Sequence, residues 1–200
     1  HKGIYVMATG SGKTFTAIQT LQELSSTQQV TLVIIAVPTK DLCEQWRKET
    51  EKQINYPIII ASSSNRLWKK ELDDHIHQVK TSSTTPLVVI TTHKTFSSDK
   101  FTTSVEAIQD KTMLICDEVH ATGSEKQFRG LENVNYAYRL GLSATPQRYF
   151  DEEGTQKLTD YFGGTVIEYT LQQAIQDGWL VNYYYYLSFK MEPGKKVINY

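Results

Sequence analysis

A short apolar run, Ile4-Tyr5-Val6-Met7, breaks at a turn of small residues, Ala8-Thr9-Gly10-Ser11-Gly12, and the chain resumes at Lys13-Thr14 with a helical pattern. A strand passed through such a turn into a helix aims backbone N–H groups and the positive end of the helix into one concavity. Gly10 and Gly12 provide the backbone angles that other residues resist. A triphosphate suits that concavity. Thr9, Gly10, Ser11, Gly12 and Lys13 would cradle it, with the Lys13 amine at the β/γ-phosphates and the Thr14 hydroxyl on Mg²⁺. The pattern is G-x-x-x-x-G-K-[ST] except that Met7 stands where the first glycine is usual. Such an imperfect match decides little by itself, so the remaining chain has to be weighed with it.

That chain is long enough, at 200 residues, for one large domain or one domain with a short extension. Lys and Arg number 21 against 22 Asp and Glu, a net charge of −1, so any contact with a polyanion must be local. Cys43 and Cys116 each sit inside an apolar segment, which favours two buried thiols over a disulfide or metal site. That usage fits a reducing, cytoplasmic setting. The run Leu32 to Val37 is too short to span a bilayer, and no signal-peptide pattern is present, so no membrane partner is expected. His1 opens directly on a strand pattern, as expected of a piece of a longer protein.

Apolar positions alternate between two periods along the chain. Ala17, Ile18, Leu21 and Leu24 recur at helical spacing until Ser25-Ser26, and Val30 to Val37 is a continuous β-branched run. Thr39 can cap a helix carrying Leu42, Trp46 and Ile54; Pro57 to Ala61 reads as a strand. Asn65 to Val79 reads as a helix with Leu67, Trp68, Leu72, Ile76 and Val79 inward. Leu87 to Thr91, Thr112 to Cys116 and Tyr138 to Leu142 are further buried-strand runs. Leu158 to Phe162 reads as helix, Thr165 to Tyr169 as strand and Leu171 to Gln176 as helix, stopped by Gly178. The tyrosine-rich stretch Asn182 to Phe189 reads as a strand. Strands alternating with helices predict an α/β fold with a mainly parallel sheet and helices on both faces. Ligands of such sheets lie beyond the carboxyl ends of the strands, where Lys13, Thr39, Thr92, Asp117 and Ser143 all fall.

Asp117-Glu118 is the second chemical element. An apolar strand delivering an aspartate can hold the Mg²⁺ that bridges β- and γ-phosphates, and an adjacent glutamate suits a base that activates water. A carboxylate pair capping the next turn is the plain alternative, and the upstream Lys13-Thr14 weighs against it.

Asp117-Glu118-Val119-His120 resembles the DExH box of superfamily 2 helicases and translocases, and Met7 to Thr14 resembles their motif I. Val37 to Trp46 is similar to motif Ia, Val89 to His93 to motif Ib, and Gly141-Leu142-Ser143-Ala144-Thr145-Pro146 to motif III. The order is the family's, and the flavour is that of XPB-like repair helicases and type I and type III restriction motor subunits. Tyr161 to Gly164 and Leu171 to Val181 also resemble the segment after motif III in that group. The resemblance implies a RecA-like P-loop domain over residues 1–181, with 182–200 leading toward a second RecA-like domain of the same parent chain. It implies ATP and Mg²⁺ as cofactors, handled by Lys13, Thr14, Asp117 and Glu118. His120, Ser143, Ala144 and Thr145 would couple nucleotide state to grip on the strand, and Thr39, Lys40, Thr91 and Thr92 would touch a nucleic-acid backbone, DNA rather than RNA. Hydroxyls, helix-start N–H groups and one lysine can position phosphates without reading sequence.

Three functions remain open on the sequence: a nucleic-acid motor domain, a P-loop kinase for a small molecule, and a nucleotide-gated interaction module without chemistry. A kinase has no use for Ser143-Ala144-Thr145, and intact Lys13, Asp117 and Glu118 argue against the inert module. The arginine fingers of the second motor domain and the glutamine-bearing motif that precedes motif I are not found in these residues, so weak ATP-Mg²⁺ binding and poor hydrolysis are expected of this piece. His75 and His77 read as helix surface, Trp46 and Trp68 as core, and Tyr183 to Tyr186 as half-buried strand. Arg148 reads equally as a phosphate sensor or as a partner of Asp151, Glu152 or Glu153.

Overall fold

The structure, a computed structural model, describes residues 1–27, 30–81, 85–123, 130–145 and 152–181. The expected strand at Asn182 to Phe189, Tyr183 to Tyr186, Pro146 and Arg148 lie outside the described residues. Strands β1 (Lys2–Met7), β2 (Leu32–Val37), β3 (Ile58–Ala61), β4 (Leu87–Thr92), β5 (Thr112–Cys116), β6 (Tyr138–Ser143) and β7 (Thr165–Tyr169) make one sheet. Its order is β3-β4-β2-β5-β6-β1-β7, and every strand pairing is parallel.

A sheet of this kind is covered on both faces, so its central strands cannot alternate apolar and polar residues. β2, Leu-Val-Ile-Ile-Ala-Val, is buried at all its positions. Helices α1 (Lys13–Thr27) and α2 (Lys40–Gln53) cover one face, where Ile18, Leu21, Cys43 and Trp46 pack on Val33, Ile35 and Ile90. Helix α3 (Trp68–Thr81), the single turn α4 (His93–Phe96), helix α5 (Asp99–Val105) and helix α6 (Glu152–Phe162) cover the other. There Leu72, Phe96, Phe101 and Phe162 join Ile34, Val89 and Leu114. Both cysteines are free and buried.

Local polar chemistry moved several element ends from where hydrophobic spacing sets them. Ser25-Ser26 does not stop α1, because the Ser26 hydroxyl donates back to the Glu23 carbonyl at 2.7 Å and the helix continues to Thr27. α3 starts at Trp68, not Asn65, since Asn65 Oδ1 accepts the Leu67 N–H at 3.0 Å and forms a turn. Leu67 is consequently exposed rather than inward. Ile54 is the extended residue that ends α2, its N–H on the Thr50 carbonyl. α4 and α5 carried too few apolar residues for a period to register, yet Phe96 and Phe101 are wholly buried.

All strands point the same way, so their carboxyl ends share one edge. The loops after β1, β2, β4, β5 and β6 therefore bring Lys13, Thr39, Thr92, Asp117 and Ser143 to a single rim. β7 extends that edge, and its last carbonyl, on Tyr169, accepts the Ala8 N–H at 3.0 Å and ties down the glycine loop. Helix α7 (Leu171–Gln176) follows, opened by Thr170 in a reciprocal cap with Gln173.

The rim depends on the rigidity of β2 behind it. Ile34→Ala empties a fully buried site at the middle of β2, and urea unfolding is expected to show a loss of about 2–5 kcal/mol. A loss below about 0.5 kcal/mol, the ordinary scatter of surface changes, would contradict the packing described.

Candidate active site

The glycine loop is held open by its own polar groups. Ser11 closes it, with N–H and hydroxyl both on the Ala8 carbonyl at 3.2 and 2.7 Å. Gly10 and Gly12 have φ of +82° and +94°, in the region closed to most side chains. A Cβ at Gly12 would meet nothing within 4 Å, so the loop faces free space there; at Gly10 it would press on the Leu180 side chain at 3.2 Å. α1 begins at Lys13, and the N–H groups of its first turn precede any intrahelical acceptor. Thr9 and Gly10 are exposed beside them, and Thr14 is half-buried.

Across the rim, β5 ends at Cys116 and delivers Asp117, whose N–H still bonds the Ala36 carbonyl of β2 at 2.8 Å. In a continuing strand Asp117 and Glu118 would face opposite sides of the sheet. Glu118 instead takes φ +48°, the one non-glycine residue with positive φ among those described. That conformation costs a residue with a Cβ of order 1–3 kcal/mol and persists because its surroundings enforce it. Here Glu118 N–H returns to Asp117 Oδ1 at 2.9 Å, and Ala121 N–H closes on the Glu118 carbonyl at 2.8 Å. The outcome is that Glu118 Oε1 lies 3.4 Å from Lys13 Nζ, an ion pair linking residues 105 apart in sequence.

Asp117 is almost wholly buried. Burial, chiefly, pushes its carboxyl pKa above the usual carboxylate value, and the Glu118 charge adds to this; the Trp46 hydrogen bond, the Glu118 N–H and the Lys13 charge pull it back. Trp46 Nε1 donates to Asp117 Oδ2 at 2.8 Å. On the backbone side His93 Nε2–H donates to the Asp117 carbonyl at 3.0 Å. Burial drives the His93 pKa from 6.5 down to about 4, against opposing hydrogen bonds to the Asp117 and Ala36 carbonyls, so this imidazole is neutral. Hydrophobic spacing marks Trp46 as core, which it is, but carries no sign of its indole N–H meeting a carboxylate. His93 follows Thr91-Thr92 directly, and a buried histidine at a strand end was the available signal.

The remaining candidates separate by what their side chains already hold. His120 Nδ1 lies 3.0 Å from Ser143 Oγ and 3.4 Å from Glu118 Oε2. Ser143, fully buried, donates to the Thr145 carbonyl at 2.5 Å and accepts the Thr145 N–H at 3.1 Å, so His120, Ser143 and Thr145 form one chain beside the acids. Ala144 is half-buried between them. Thr39 caps α2 by accepting the Leu42 N–H at 3.3 Å and stays exposed, and exposed Lys40 reaches Ser64 Oγ at 3.0 Å. Thr92 caps α4 through the Thr95 N–H. Thr91 departs from the expected contact role: it is fully buried and donates to the Ala61 carbonyl at 2.8 Å, leaving no hydroxyl at the rim. His75 bonds the Thr31 carbonyl at 3.2 Å.

Magnesium triphosphate fits this arrangement on donor chemistry. The loop offers unpaired N–H groups and open space at Gly12, Lys13 offers an ammonium, and Thr14 and Asp117 offer the hard oxygens that Mg²⁺ takes alongside phosphates. Among the described residues no group of three or more His, Cys, Asp or Glu could by itself hold a metal. No helix among them is long and apolar enough to cross a membrane.

The family model described as type III restriction enzyme, res subunit, matches residues 1–148. The DNA 3'-5' translocase XPB2 of Sulfurisphaera tokodaii is 30% identical over 168 residues, 83% of this chain and 31% of that protein. The type I restriction enzyme EcoAI endonuclease subunit of Escherichia coli is 25% identical over 183 residues, 90% of this chain and 20% of the relative. The chain thus spans a third or less of either relative. Among solved structures, a nuclease-deletion mutant of the type ISP restriction-modification enzyme LlaGI with a DNA substrate mimic superposes with a TM-score of 0.60 at 21% identity, over 89% of this chain and 19% of that one. The Pyrococcus furiosus Hef helicase domain gives 0.61 at 20% identity, over 84% and 34%. At those identities the two structures speak for the fold.

His93 sets a pH dependence whose direction is fixed by its burial. Unfolded chains bind its proton below pH 6.5 and the folded chain only near pH 4, so stability is full above 6.5 and falls as pH drops through that window. Urea unfolding is expected to lose roughly 2–3 kcal/mol to this group between pH 7 and pH 4. The loss should be absent from the pH profile of His93→Gln; an identical profile in that variant would contradict the assignment.

Proposed function

The chain belongs to the type III restriction enzyme res-subunit family and has the RecA-like motor fold of superfamily 2 helicases; on that premise we propose that it is the ATP-binding and ATP-hydrolysing domain of a nucleic-acid translocase or helicase acting on DNA. The observation that carries this reading is the convergence of Lys13 with the tandem acids, Lys13 Nζ lying 3.4 Å from Glu118 Oε1 beside buried Asp117. A phosphate loop alone would serve many chemistries. A phosphate loop whose lysine pairs with the second of two consecutive carboxylates from another strand end suits hydrolysis of a metal-bound nucleotide.

In this proposal the N–H groups of Thr9, Gly10, Gly12, Lys13 and Thr14 would bind the triphosphate, the Ser11 N–H being held on the Ala8 carbonyl, and Thr14 and Asp117 would hold Mg²⁺. Bound MgATP would supply the γ-phosphoryl group and a divalent charge to offset the phosphates. The Lys13 amine, now on Glu118, would turn to the phosphates and free the Glu118 carboxylate to orient water and accept its proton. His120, in reach of both Glu118 and Ser143, passes the state of that carboxylate to the Ser143-Ala144-Thr145 loop. Thr39 and Lys40, exposed at the start of α2, would contact the nucleic-acid backbone, while the buried Thr92 keeps its hydroxyl on Thr95. Residues 1–181 would act as the first RecA-like domain, working with a second RecA-like domain whose arginine fingers are worth roughly 10³–10⁵ in turnover where such fingers are known. Turnover by the 200-residue chain is therefore slow, and nucleotide binding is the sharper readout.

Titrating a fluorescent ATP analogue with Mg²⁺ present tests the site. Lys13→Ala is expected to weaken binding at least about 10-fold, the loss of one charge-assisted contact. Glu118→Gln should retain binding while single-turnover hydrolysis falls about 10²-fold or more. Unchanged binding in Lys13→Ala would overturn the nucleotide site, and unchanged hydrolysis in Glu118→Gln would remove the water-activating role.

A further inference from the structure

Trp46 lies one turn beyond Cys43 and one before Thr50 on the inward face of α2, and only 1% of it is exposed. A tryptophan there needs no further explanation as core. Its indole N–H, however, is spent on Asp117 Oδ2 at 2.8 Å, while Oδ1 takes the Glu118 N–H at 2.9 Å. Each oxygen of the carboxylate thus has one fixed donor, and the side chain cannot rotate without breaking one of them. Each oxygen also keeps a second lone pair.

The chemical identity of the donor matters. A buried carboxylate without a partner loses the solvation that water gave it. A lysine or arginine at this place would satisfy it, but its positive charge would neutralise the site and repel a divalent cation. An indole N–H is a donor that carries no charge and never titrates. It holds Asp117 Oδ2 in place without adding a charge to the site. We propose that Trp46 is a positioning residue that presets Asp117 for the divalent cation of a bound metal-nucleotide, a role that rests on the reading of Asp117 as a metal-binding carboxylate. Partners that orient metal-ligating groups commonly contribute 10–100-fold to metal affinity.

The test is Mg²⁺ titration of a fluorescent ATP analogue on the 200-residue chain, wild type and Trp46→Phe, each also combined with Asp117→Asn. Phe keeps an aromatic ring in the core and deletes the donor. The Mg²⁺ concentration for half-saturation is expected to rise roughly 10-fold in Trp46→Phe, with Mg²⁺-free nucleotide binding unchanged. In the Asp117→Asn background the same substitution should have no further effect. A Trp46→Phe effect of equal size in both backgrounds, or equal with and without Mg²⁺, means a packing role only and overturns the proposal. Should Trp46→Phe fail to fold, ¹⁵N-tryptophan labelling reads the native chain, which has 3 tryptophans. An exchange-protected indole N–H signal should shift when a non-hydrolysable ATP analogue and Mg²⁺ are added, and should not shift in Asp117→Asn; a protected indole signal indifferent to both contradicts the proposal. Loss of binding in Lys13→Ala together with an unaltered Mg²⁺ requirement in Trp46→Phe would defeat this inference alone, whereas indifference to Lys13→Ala defeats the nucleotide site beneath it.

Discussion

A carboxylate almost buried at the carboxyl end of β5 is the constraint to which the rest of the rim answers. Taking Asp117 out of water is costly, and its raised pKa records that cost. Three groups offset it, the indole of Trp46 from α2, the amide of Glu118 and the charge of Lys13 from α1, while the imidazole of His93 from the start of α4 holds the backbone carbonyl of the same residue. Those three helices leave the sheet at different strand ends. They can meet at one aspartate only because β1, β2, β4 and β5 run parallel and end at the same edge.

The left-handed turn at Glu118 has the complementary effect. Strand alternation would separate two consecutive acids to opposite faces. The +48° φ of Glu118 breaks that alternation directly after Asp117, so one acid stays seated against α2 and the other swings to Lys13 and His120. Strain at that residue is balanced by the bonds from Glu118 N–H and Ala121 N–H on either side of it. Through His120 the same acid is one contact away from Ser143 and the loop that ends β6. Burial of Ser143 makes that contact a fixed one, since its hydroxyl has no water to exchange with.

Much of this was readable from the chain before any coordinates. Continuous β-branched runs announced a parallel sheet because only burial on both faces tolerates them, and Val33 to Ile35 at the centre are wholly buried. Lys13, Asp117 and Glu118 stood out in the sequence because phosphate and metal chemistry demand those residue types beside a strand end, and in the structure Lys13 pairs with Glu118 next to buried Asp117. Less legible were contacts that depend on where a side chain's polar tip lands. Spacing put Trp46 in the core and could not show that its N–H reaches a residue 71 positions away. Thr91 illustrates the opposite error: its position beside Thr92 suggested a paired role, but it lies inside β4, buried on both faces, and its hydroxyl is spent on the Ala61 carbonyl of the neighbouring strand. Asn65 shows a third limit, since a side-chain turn displaced the start of α3 past three residues that fit the helical period.

The central claim is that one metal-bound triphosphate is shared between the loop that opens α1 and the acid that ends β5. A crystal structure of the chain with Mg²⁺ and a non-hydrolysable ATP analogue tests it most directly. The account predicts a triphosphate along residues 9–14 with the metal between the Thr14 hydroxyl and the Asp117 carboxylate, directly or through its water, and Glu118 released from Lys13. A triphosphate bound elsewhere, or a metal that engages neither Thr14 nor Asp117, would contradict it.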